Sequence, residues 1–521
     1  MNSTKKITSS REQEALDAIS KTSISRKLAI VATIVFSALL FAVPAFQLCT
    51  SMPSFENPDK TKATGLKRIL EYNNNLIDKK NIWEDDMKQQ SFLQNIFPSA
   101  YQTLLTECLH TGNEKAITGE ESDWMFYEKD IKYYQTPINF ESINCITDLN
   151  EQLNRRGIKL LLLPIPLKPA FHADKLSNRY SAGSSVVHPD FSRWKNELTR
   201  RGVSFVPLPD TLRFLKKDTH WDVESMEKVS ECIAEAILGS GVTIYEKQYS
   251  TETETVANMG DIYSMLKLKR TGPLEAIQSL KIHQVVNEYG ELFQPSRNSN
   301  ILFLGDSFSN IYSLQGMGWG NSAGLVEHLA YCLQSPVDAI RRNDEGSFAT
   351  RKILQNELKS GKDRLEGKDV VIWEFAEREL AFGNWSKLDM TLGKPVPTTF
   401  VTVSSGDSMT VTGTIADRSA SPLPDKVTYA DHIIALHLTD LNIHVDNDMP
   451  GEAVVYTLGM KNHKLTPSAF LRTGDRIHVI LKSWQDKEPE FGGLNRNELD
   501  DFELQLQEPV WGENIQRLNE Q

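Results

Sequence analysis

The sequence lacks the patterns that define several large classes of protein. Its five cysteines are scattered at Cys49, Cys108, Cys145, Cys232 and Cys332, with no CxxC pair and no zinc-ligand spacing. It contains no HExxH motif, no P-loop, no dinucleotide-binding fingerprint and no internal repeat. A disulfide framework is therefore not implied, and we expect neither a metal site nor a cofactor.

Positive charge is also in short supply. The chain has 57 Lys and Arg against 69 Asp and Glu, for a formal net charge of −12 at pH 7. This balance argues against a nucleic-acid-binding protein, which would have to neutralise phosphates. With 521 residues, 40% of them hydrophobic, and only 29 Gly and 22 Pro, the chain is neither collagen-like nor of low complexity. Its length predicts about three globular units.

One long apolar run stands near the N terminus. The 21 residues of the segment 28–48 carry no charge and match the length needed to cross a bilayer. Arg26 and Lys27 precede the run, which favours a cytoplasmic N terminus. A cleaved signal peptide is the alternative, but its apolar core is usually shorter. We predict a cytoplasmic tail at 1–27, a single-pass anchor in a bacterial inner membrane at 28–48, and a polar stalk at 49–114. Everything after the anchor would then lie in the periplasm or outside the cell.

The next part of the chain alternates buried strands with helical periodicity. Four continuous apolar runs, at 158–166, 203–208, 301–304 and 370–375, are typical of strands that are buried on both faces of a parallel sheet. Between them lie amphipathic stretches, of which the first runs from Asn139 to Arg156. The pattern predicts an open α/β parallel sheet over 115–392. Residues 393–521 instead alternate apolar and polar positions, which predicts a small, antiparallel all-β domain.

A serine follows one of the buried strands directly. The strand at 301–304 runs into Gly305, Asp306 and Ser307. A serine on a sharp turn between a strand and a helix is a common arrangement for a nucleophile, because the helix start offers backbone N–H groups to a developing oxyanion. The alternative is an ordinary helix N-cap.

A second polar motif supplies an acid and a base. In the segment KKDTHWD, Asp218 and His220 are two residues apart and precede a helical stretch. A serine hydroxyl needs an imidazole to take its proton, and the imidazole needs a carboxylate to orient it. The alternative for this segment is a helix cap beside a surface histidine. The two motifs together predict a Ser307–His220–Asp218 triad.

These motifs resemble a known family. Gly305-Asp306-Ser307 and Asp218-Thr219-His220-Trp221 are similar to the motifs of the SGNH-like O-acetyltransferases of exopolysaccharide assembly, the AlgJ and AlgX type named for alginate acetylation. The segments 123–127, 164–168 and 373–380 support a resemblance that covers roughly 115–390. As in that family, the Asp/His segment precedes the serine, which is a permuted order relative to ordinary SGNH esterases.

The resemblance implies a chemistry and a partner. Ser307 would carry an acetyl group, His220 would act as general base and then acid, and Asp218 would orient it. The acetyl group would pass to a hydroxyl of an alginate-like exopolysaccharide outside the cytoplasm. A separate membrane-bound O-acyltransferase would supply it. The all-β domain has the position of a carbohydrate-binding module in the AlgX type.

Further residues are candidates for the rest of the site. Asn343 and Asn321 are candidate oxyanion donors. Arg341 and Arg351, in a basic cluster with Arg342, are candidates for contacting an anionic polysaccharide, with a solvated charged face as the alternative. Tyr312 is a candidate for lining the substrate groove, with simple packing as the alternative. Two other functions remain open: a carbohydrate esterase that uses the same triad, and a non-catalytic scaffold that binds polysaccharide.

Overall fold

Residues Gln102–Gln521 form one compact unit in the computed structural model. The structure describes residues 112–518 except 122, 267–276, 395–399, 423, 425–426 and 444–450, together with positions 27, 29–31, 33, 34, 36, 37 and 106. Within these residues, no helix has both the length and the apolar character that a membrane span requires. Most of the predicted anchor at 28–48, and nearly all of the predicted stalk at 49–114, lie outside the described residues.

The strands and helices of this unit are numbered here in chain order. The strands are β1 (Ala116–Thr118), β2 (Met125–Tyr127), β3 (Lys159–Ile165), β4 (Ser204–Phe205), β5 (Tyr249–Asn258), β6 (Gln278–Asn287), β7 (Ile301–Gly305), β8 (Asp338–Arg341), β9 (Val370–Ala376), β10 (Ser408–Arg418), β11 (His432–Ile443), β12 (Gly451–Lys461), β13 (Lys464–Leu465), β14 (Arg476–Ser483), β15 (Asn495–Asn497) and β16 (Val510–Arg517). The α-helices are α1 (Glu128–Tyr133), α2 (Glu141–Arg155), α3 (Lys168–Phe171), α4 (Ala173–Leu176), α5 (Phe191–Arg200), α6 (Val223–Gly239), α7 (Asp261–Met265), α8 (Ser307–Asn310), α9 (Leu325–Leu333), α10 (Ala349–Lys359), α11 (Glu379–Phe382), α12 (Trp484–Phe491) and α13 (Phe502–Gln505). Short 3₁₀ turns lie at Gln315–Met317 and Pro467–Phe470.

A five-stranded parallel sheet forms the centre of the α/β part. Its strand order is β4-β3-β9-β7-β8, and every neighbouring pair is parallel. Every residue of β7 and β9 is buried, because helices cover both faces of such a sheet. The prediction of an open parallel sheet is therefore confirmed. The predicted strand at 203–208 shrinks to the two residues of β4, and the edge strand β8 was not predicted.

Helix α6 shows how the sequence places the segment with Asp218 and His220 beside the sheet. Asp222 caps the helix, and its side-chain oxygen accepts a hydrogen bond from the backbone N–H of Ser225 at 2.8 Å. Met226, Val229 and Ile233 recur at spacings of three and four, and all three are buried in the core. The cap fixes where the helix starts, so the turn with Asp218 and His220 ends directly before α6.

A long hairpin not predicted from the sequence packs beside this core. Strands β5 and β6 pair antiparallel in register from Tyr249↔Asn287 to Asn258↔Gln278. The hairpin contacts helices α6 and α9, and Ile282 and Val285 of β6 belong to the core cluster. Directly after β5 the chain reaches Gly260 and Asp261, so the hairpin carries a further acidic residue toward the same edge of the sheet.

The C-terminal part is an all-β domain, as predicted. The seven strands in its described residues are ordered β13-β12-β16-β14-β10-β11-β15, and a further pairing between β12 and β11 closes the sheet on itself. Most pairs are antiparallel, while β11–β15 and β12–β16 are parallel, which the simple alternation of the sequence did not predict. Leu314 of the α/β part shares an apolar cluster with Ile433 and Leu494 of this domain, so the two parts pack directly on each other.

The cysteines in the described residues are unpaired. Cys145, Cys232 and Cys332 are free thiols, and Cys145 is buried in the core. Cys49 and Cys108 lie outside the described residues.

Candidate active site

A hydrogen-bonded chain of three side chains stands at the carboxyl edge of the parallel sheet. The Oγ of Ser307 lies 2.9 Å from Nε2 of His220, and Nδ1 of His220 lies 2.7 Å from Oδ1 of Asp218. Ser307 is the first residue of α8, directly after β7, while Asp218 and His220 lie in the turn before α6. All three are buried. Two motifs that are 87 residues apart in the chain thus meet in one arrangement.

The turn that carries Ser307 is held by its neighbours. Asp306 caps α8 by accepting a hydrogen bond from the N–H of Phe308 at 2.8 Å, and its second oxygen accepts one from the N–H of Ala376 at 2.8 Å. The N–H of Asp306 donates to Glu374 at 2.8 Å. A Cβ on Gly305 would lie 2.6 Å from Oγ of Ser309 and 2.9 Å from Oε2 of Glu374, so this position requires glycine. Asp306 of the G-D-S motif is therefore a cap that ties the turn of Ser307 to β9.

The electrostatics of the acid–base pair suit proton transfer. Burial alone would lower the pKa of His220, but the hydrogen bond and charge of Asp218 raise this pKa above its ordinary value. Burial would raise the pKa of Asp218, yet its hydrogen bonds to His220 and Trp319 bring it down to about 2. Asp218 is therefore ionised across the physiological range, and His220 is poised to accept a proton and hold it.

The carboxylate of Asp218 also has two donors that sequence reasoning missed. Its Oδ2 accepts from Nε1 of Trp319 at 2.8 Å and from the N–H of Asp261 at 3.0 Å. The side chain of Asp261 accepts from the N–H of Thr219 at 2.7 Å, and burial together with the charge of Asp218 raises its pKa to about 6. No local motif marks either residue, because Asp261 lies in the connection between the two strands of the unpredicted hairpin and Trp319 lies in a loop.

A buried lysine supports the backbone of the acid–base turn. Nζ of Lys168 donates to the carbonyl oxygens of Met125 at 2.6 Å, Lys216 at 3.0 Å and Asp218 at 2.8 Å. Only 1% of its surface is exposed, and burial lowers its pKa to about 7. Within the described residues its hydrogen bonds go to carbonyl oxygens, and not to a carboxylate. Lys168 thus joins β2 to the turn that presents Asp218.

We expect Lys168→Met to slow acylation of Ser307 while the protein remains folded. Methionine keeps most of the buried volume but removes all three donors, so the turn that presents Asp218 loses its anchor. A displacement of about 1 Å in a catalytic group costs roughly 100-fold in rate. The measurement is the rate of acetyl-adduct formation from an activated acetyl ester, followed by intact mass well below the melting temperature.

Lys368→Met is the matched control for this variant. Lys368 is also buried, and its Nζ donates to the carbonyl oxygen of Arg297 at 2.7 Å and pairs with Asp338 at 3.0 Å. It lies at the amino edge of the sheet, opposite the site. We expect Lys368→Met to lower the melting temperature and keep the acylation rate. Equal loss of rate in both variants would show that Lys168 acts on folding alone.

The triad opens into a cavity of about 1050 Å³. Ser307, His220 and Arg378 line it on the α/β side, and Tyr429 and Leu494 line it from the all-β domain. Arg378 donates to Asp130 at 3.0 Å, which neutralises a buried carboxylate beside the site. The cavity is therefore built by both parts of the chain.

Asn343 is the one predicted oxyanion candidate that lines this cavity among the described residues. Its Oδ1 accepts from Nδ2 of Asn310 at 2.8 Å, so the amide is oriented by α8. Its backbone N–H donates to the carbonyl oxygen of Gly493 in the all-β domain at 3.1 Å. Asn343 thus remains a candidate donor beside the backbone N–H of Ser307.

The other four candidates lie elsewhere, which corrects their prediction. The amide of Asn321 is bound by Gln284 of the hairpin. The hydroxyl of Tyr312 donates to the carbonyl oxygen of Trp221 at 2.8 Å in the core, so simple packing is the correct alternative. Arg341 pairs with Glu327 at 3.0 Å on the far side of β8.

Arg351 is the last of these corrections. Only 1% of its surface is exposed. Its guanidinium donates to the carbonyl oxygen of Ser347, and its Cζ lies 4.8 Å from the ring centroid of Trp373. Arg351 therefore neither contacts a substrate nor lies on a solvated charged face, because its side chain is packed in the core on the buried side of α10.

One group of the described residues has metal-ligand geometry. The candidate ligand atoms of Asp218, His220 and Asp261 all lie within 4.8 Å of one another. Nδ1 of His220 is already hydrogen-bonded to Asp218, so the same atoms serve the triad. The arrangement fits proton transfer directly.

A buried Ser–His–Asp chain at the carboxyl edge of an open parallel sheet is the arrangement of an SGNH hydrolase-like domain with permuted order. The family profile described as "SGNH hydrolase-like domain, acetyltransferase AlgX" matches residues 117–377, which is half of the chain. The chain belongs to this family, as its motifs predicted.

Individual relatives are distant in sequence. The chain is 22% identical over 387 residues to the "Probable alginate O-acetylase AlgJ" of Pseudomonas aeruginosa, covering 69% of this chain and 91% of the relative. Among solved structures, it is 20% identical to the O-acetyltransferase domain of Pseudomonas putida AlgJ, with a TM-score of 0.41, covering 52% of this chain and 93% of that one. It is 13% identical to the structure of Pseudomonas aeruginosa AlgX, with a TM-score of 0.39, covering 70% of this chain and 87% of that one.

Proposed function

We propose that this protein is a membrane-anchored O-acetyltransferase that passes acetyl groups from Ser307 to hydroxyls of an exopolysaccharide outside the cytoplasm. The observation that carries the proposal is the unbroken hydrogen-bonded chain from Ser307 through His220 to Asp218, set in a cavity. Membership of the AlgX family supports the acetyl group as cargo. The name of the AlgJ relative makes alginate-type polymers the first acceptors to test.

In the first half-reaction, Oγ of Ser307 attacks the carbonyl carbon of an acetyl donor while Nε2 of His220 takes the hydroxyl proton. The charged tetrahedral intermediate is stabilised by the backbone N–H of Ser307 and by the amide of Asn343. The bond to the donor's leaving group then breaks, and His220 returns the proton to that group. An acetyl ester of Ser307 remains.

In the second half-reaction, a sugar hydroxyl takes the place of the leaving group. His220 removes its proton as the oxygen attacks the acetyl carbonyl, and the proton then returns to Oγ of Ser307 when the ester bond breaks. The acetylated sugar leaves, and the enzyme is restored. Asp218 stays ionised throughout and stabilises the imidazolium of His220.

The remaining assignments belong to the same proposal. Residues 28–48 would anchor the chain in the inner membrane, with 115–392 as the catalytic domain in the periplasm. Residues 393–521 would contribute to polysaccharide binding, and a membrane-bound O-acyltransferase would deliver the acetyl group. Labelling of cysteines placed on either side of 28–48 with a membrane-impermeant reagent tests the orientation. If a cysteine placed in the α/β part of the protein is not labelled in intact spheroplasts, the proposed orientation is contradicted.

The decisive experiment follows the fate of the acetyl group. The full chain is incubated with an activated acetyl ester, the adduct is quantified by intact mass, and its loss is timed with and without oligosaccharide. We expect a stoichiometric adduct whose loss is faster with sugar and yields acetylated sugar. Equal loss with and without sugar would identify the esterase, and a chain that forms no adduct would be a scaffold.

A further inference from the structure

A second cavity, of about 530 Å³, adjoins the catalytic cavity at the junction of the two parts. Its volume lies within the range of small-ligand pockets. The two cavities share four lining residues, Asp344, Glu345, Tyr429 and Asn495. A ligand made of linked units can therefore occupy both cavities at once.

Three buried polar atoms in the wall of the second cavity lack a hydrogen-bond partner. They are Nε of Arg342, Oδ1 of Asn495 and Nδ1 of His432, and no described residue bonds to them. The side chains are 8%, 6% and 1% exposed. A buried polar group without a partner costs free energy, so three of them around one cavity point to a ligand that completes their bonding.

The types of these atoms select the chemistry of the ligand. Nε of Arg342 can only donate, and Oδ1 of Asn495 can only accept. A hydroxyl group both accepts and donates, whereas a carboxylate offers acceptors alone and leaves Oδ1 of Asn495 unpaired. Charges of both signs line the cavity, because Arg342, Arg418 and Arg496 stand beside Asp344, Glu345, Glu498 and Asp500. The lining charge alone therefore selects neither a neutral nor an anionic sugar.

An aromatic pair completes the wall. The rings of Tyr429 and His432 stack at 5.7 Å with an interplanar angle of 18°. Burial lowers the pKa of His432 to about 4, so the imidazole is neutral at pH 7 and adds no charge. The cavity wall therefore offers aromatic rings, a neutral imidazole, and both donors and acceptors. Such a wall suits a polyhydroxylated sugar ring better than an isolated ion.

We propose that the second cavity binds one sugar unit of the acceptor chain through its hydroxyls, while a neighbouring unit reaches Ser307. That the ligand is the acceptor rests on the proposed function. The existence of a hydroxyl-binding site rests only on Arg342, Asn495 and His432.

Binding of sugar to the full chain carrying Ser307→Ala tests the proposal without any acetyl chemistry. The probes are cellohexaose, which is neutral, and a mannuronate hexasaccharide, which carries carboxylates, each titrated by calorimetry. Arg342→Lys keeps the charge but removes Nε, and we expect it to weaken binding about tenfold, the effect of losing one hydrogen bond to a charged donor. Arg341→Lys is the matched control, since Arg341 points away to Glu327 and Ser313.

A second variant guards against misfolding of the first. Ala420 lines the cavity at an exposed position, so Ala420→Trp fills the cavity without disturbing a buried residue. We expect it to abolish binding of both probes. Binding that is unchanged in Arg342→Lys and Ala420→Trp, or saturable binding of neither hexasaccharide to the parent chain, overturns the proposal.

Two further outcomes distinguish a sugar site from an anion site, and failure of the cavity proposal from failure of the proposed function. Displacement of the hexasaccharide by inorganic phosphate, with equal affinity for phosphate in the Arg342→Lys chain, would mark an anion site and overturn the sugar assignment. Sugar binding that responds to both variants, in a chain that transfers no acetyl group to sugar, supports the cavity proposal and contradicts the proposed function.

Discussion

Replacement of Ser307 by alanine is expected to abolish the acetyl adduct and to reduce turnover of an activated acetyl ester by roughly 10⁴-fold or more, the usual cost of removing a triad nucleophile. Oγ of Ser307 is the atom that lies 2.9 Å from Nε2 of His220, and the substitution removes only that atom from a buried position. The fold should therefore survive. Intact mass after exposure to the ester, and the initial rate of ester cleavage, measure the effect.

Ser309→Ala is the control for this variant. Ser309 lies one half-turn further along the same helix, is fully buried, and donates to the carbonyl oxygen of Asp306 at 2.7 Å. Its loss should lower stability by about 1 kcal/mol, the typical net value of one hydrogen bond, and leave the adduct in place. An adduct that persists in Ser307→Ala would mean that another side chain carries the acetyl group.

The positions of the triad were predictable because each motif is local. A strand that ends in Gly-Asp-Ser, and an Asp-x-His turn that precedes a helix, both place their side chains by backbone geometry within a few residues. The parallel sheet then brings the two strand ends to one edge. The same reasoning predicted the sheet, because its strands are continuous apolar runs.

The wrong assignments share one physical cause. Tyr312 and Arg351 were chosen by residue type and closeness in sequence to other candidates, but whether a side chain points into a cavity or into the core depends on long-range packing. Tyr312 points into the core toward Trp221, and Arg351 points beneath α10. Arg342, with its unpaired Nε, lines a cavity because alternate residues of a strand point to opposite faces, which sends Arg341 the other way.

Some residues of the site had no local signal at all. Trp319 and Asp261 reach Asp218 from a loop and from the end of a hairpin that the sequence pattern did not reveal. Local motifs also could not predict that residues of the all-β domain would line the cavity that contains Ser307. A Cβ on Gly493 would lie 2.8 Å from Nδ2 of Asn310, the atom that orients Asn343, so the fit between the two parts directly sets the position of a candidate oxyanion donor.

Asp218→Asn is expected to lower the acylation rate about as strongly as loss of the nucleophile, by roughly 10⁴-fold, while it keeps the shape of the side chain. The carboxylate fixes the tautomer of His220 and stabilises its cation, and an amide does neither. The variant should also change the pH dependence. His220 must be neutral to accept the proton of Ser307, so the rate rises as the pH passes upward through the pKa of His220.

The direction of that change follows from the charges around the imidazole. In the parent chain the hydrogen bond and charge of Asp218 hold the pKa of His220 above its ordinary value, against the effect of burial. With asparagine the burial remains and the charge is gone, so the acid limb of the residual activity should move to lower pH. Asp222→Asn, which keeps a good N-cap on α6 only four residues away, is the matched control and should retain both rate and profile. An acid limb in Asp218→Asn that matches the parent chain would show that Asp218 does not set the pKa of His220. The neighbouring carboxylate of Asp261, whose Oδ2 lies 4.0 Å from Nδ1 of His220, would then have to supply the charge.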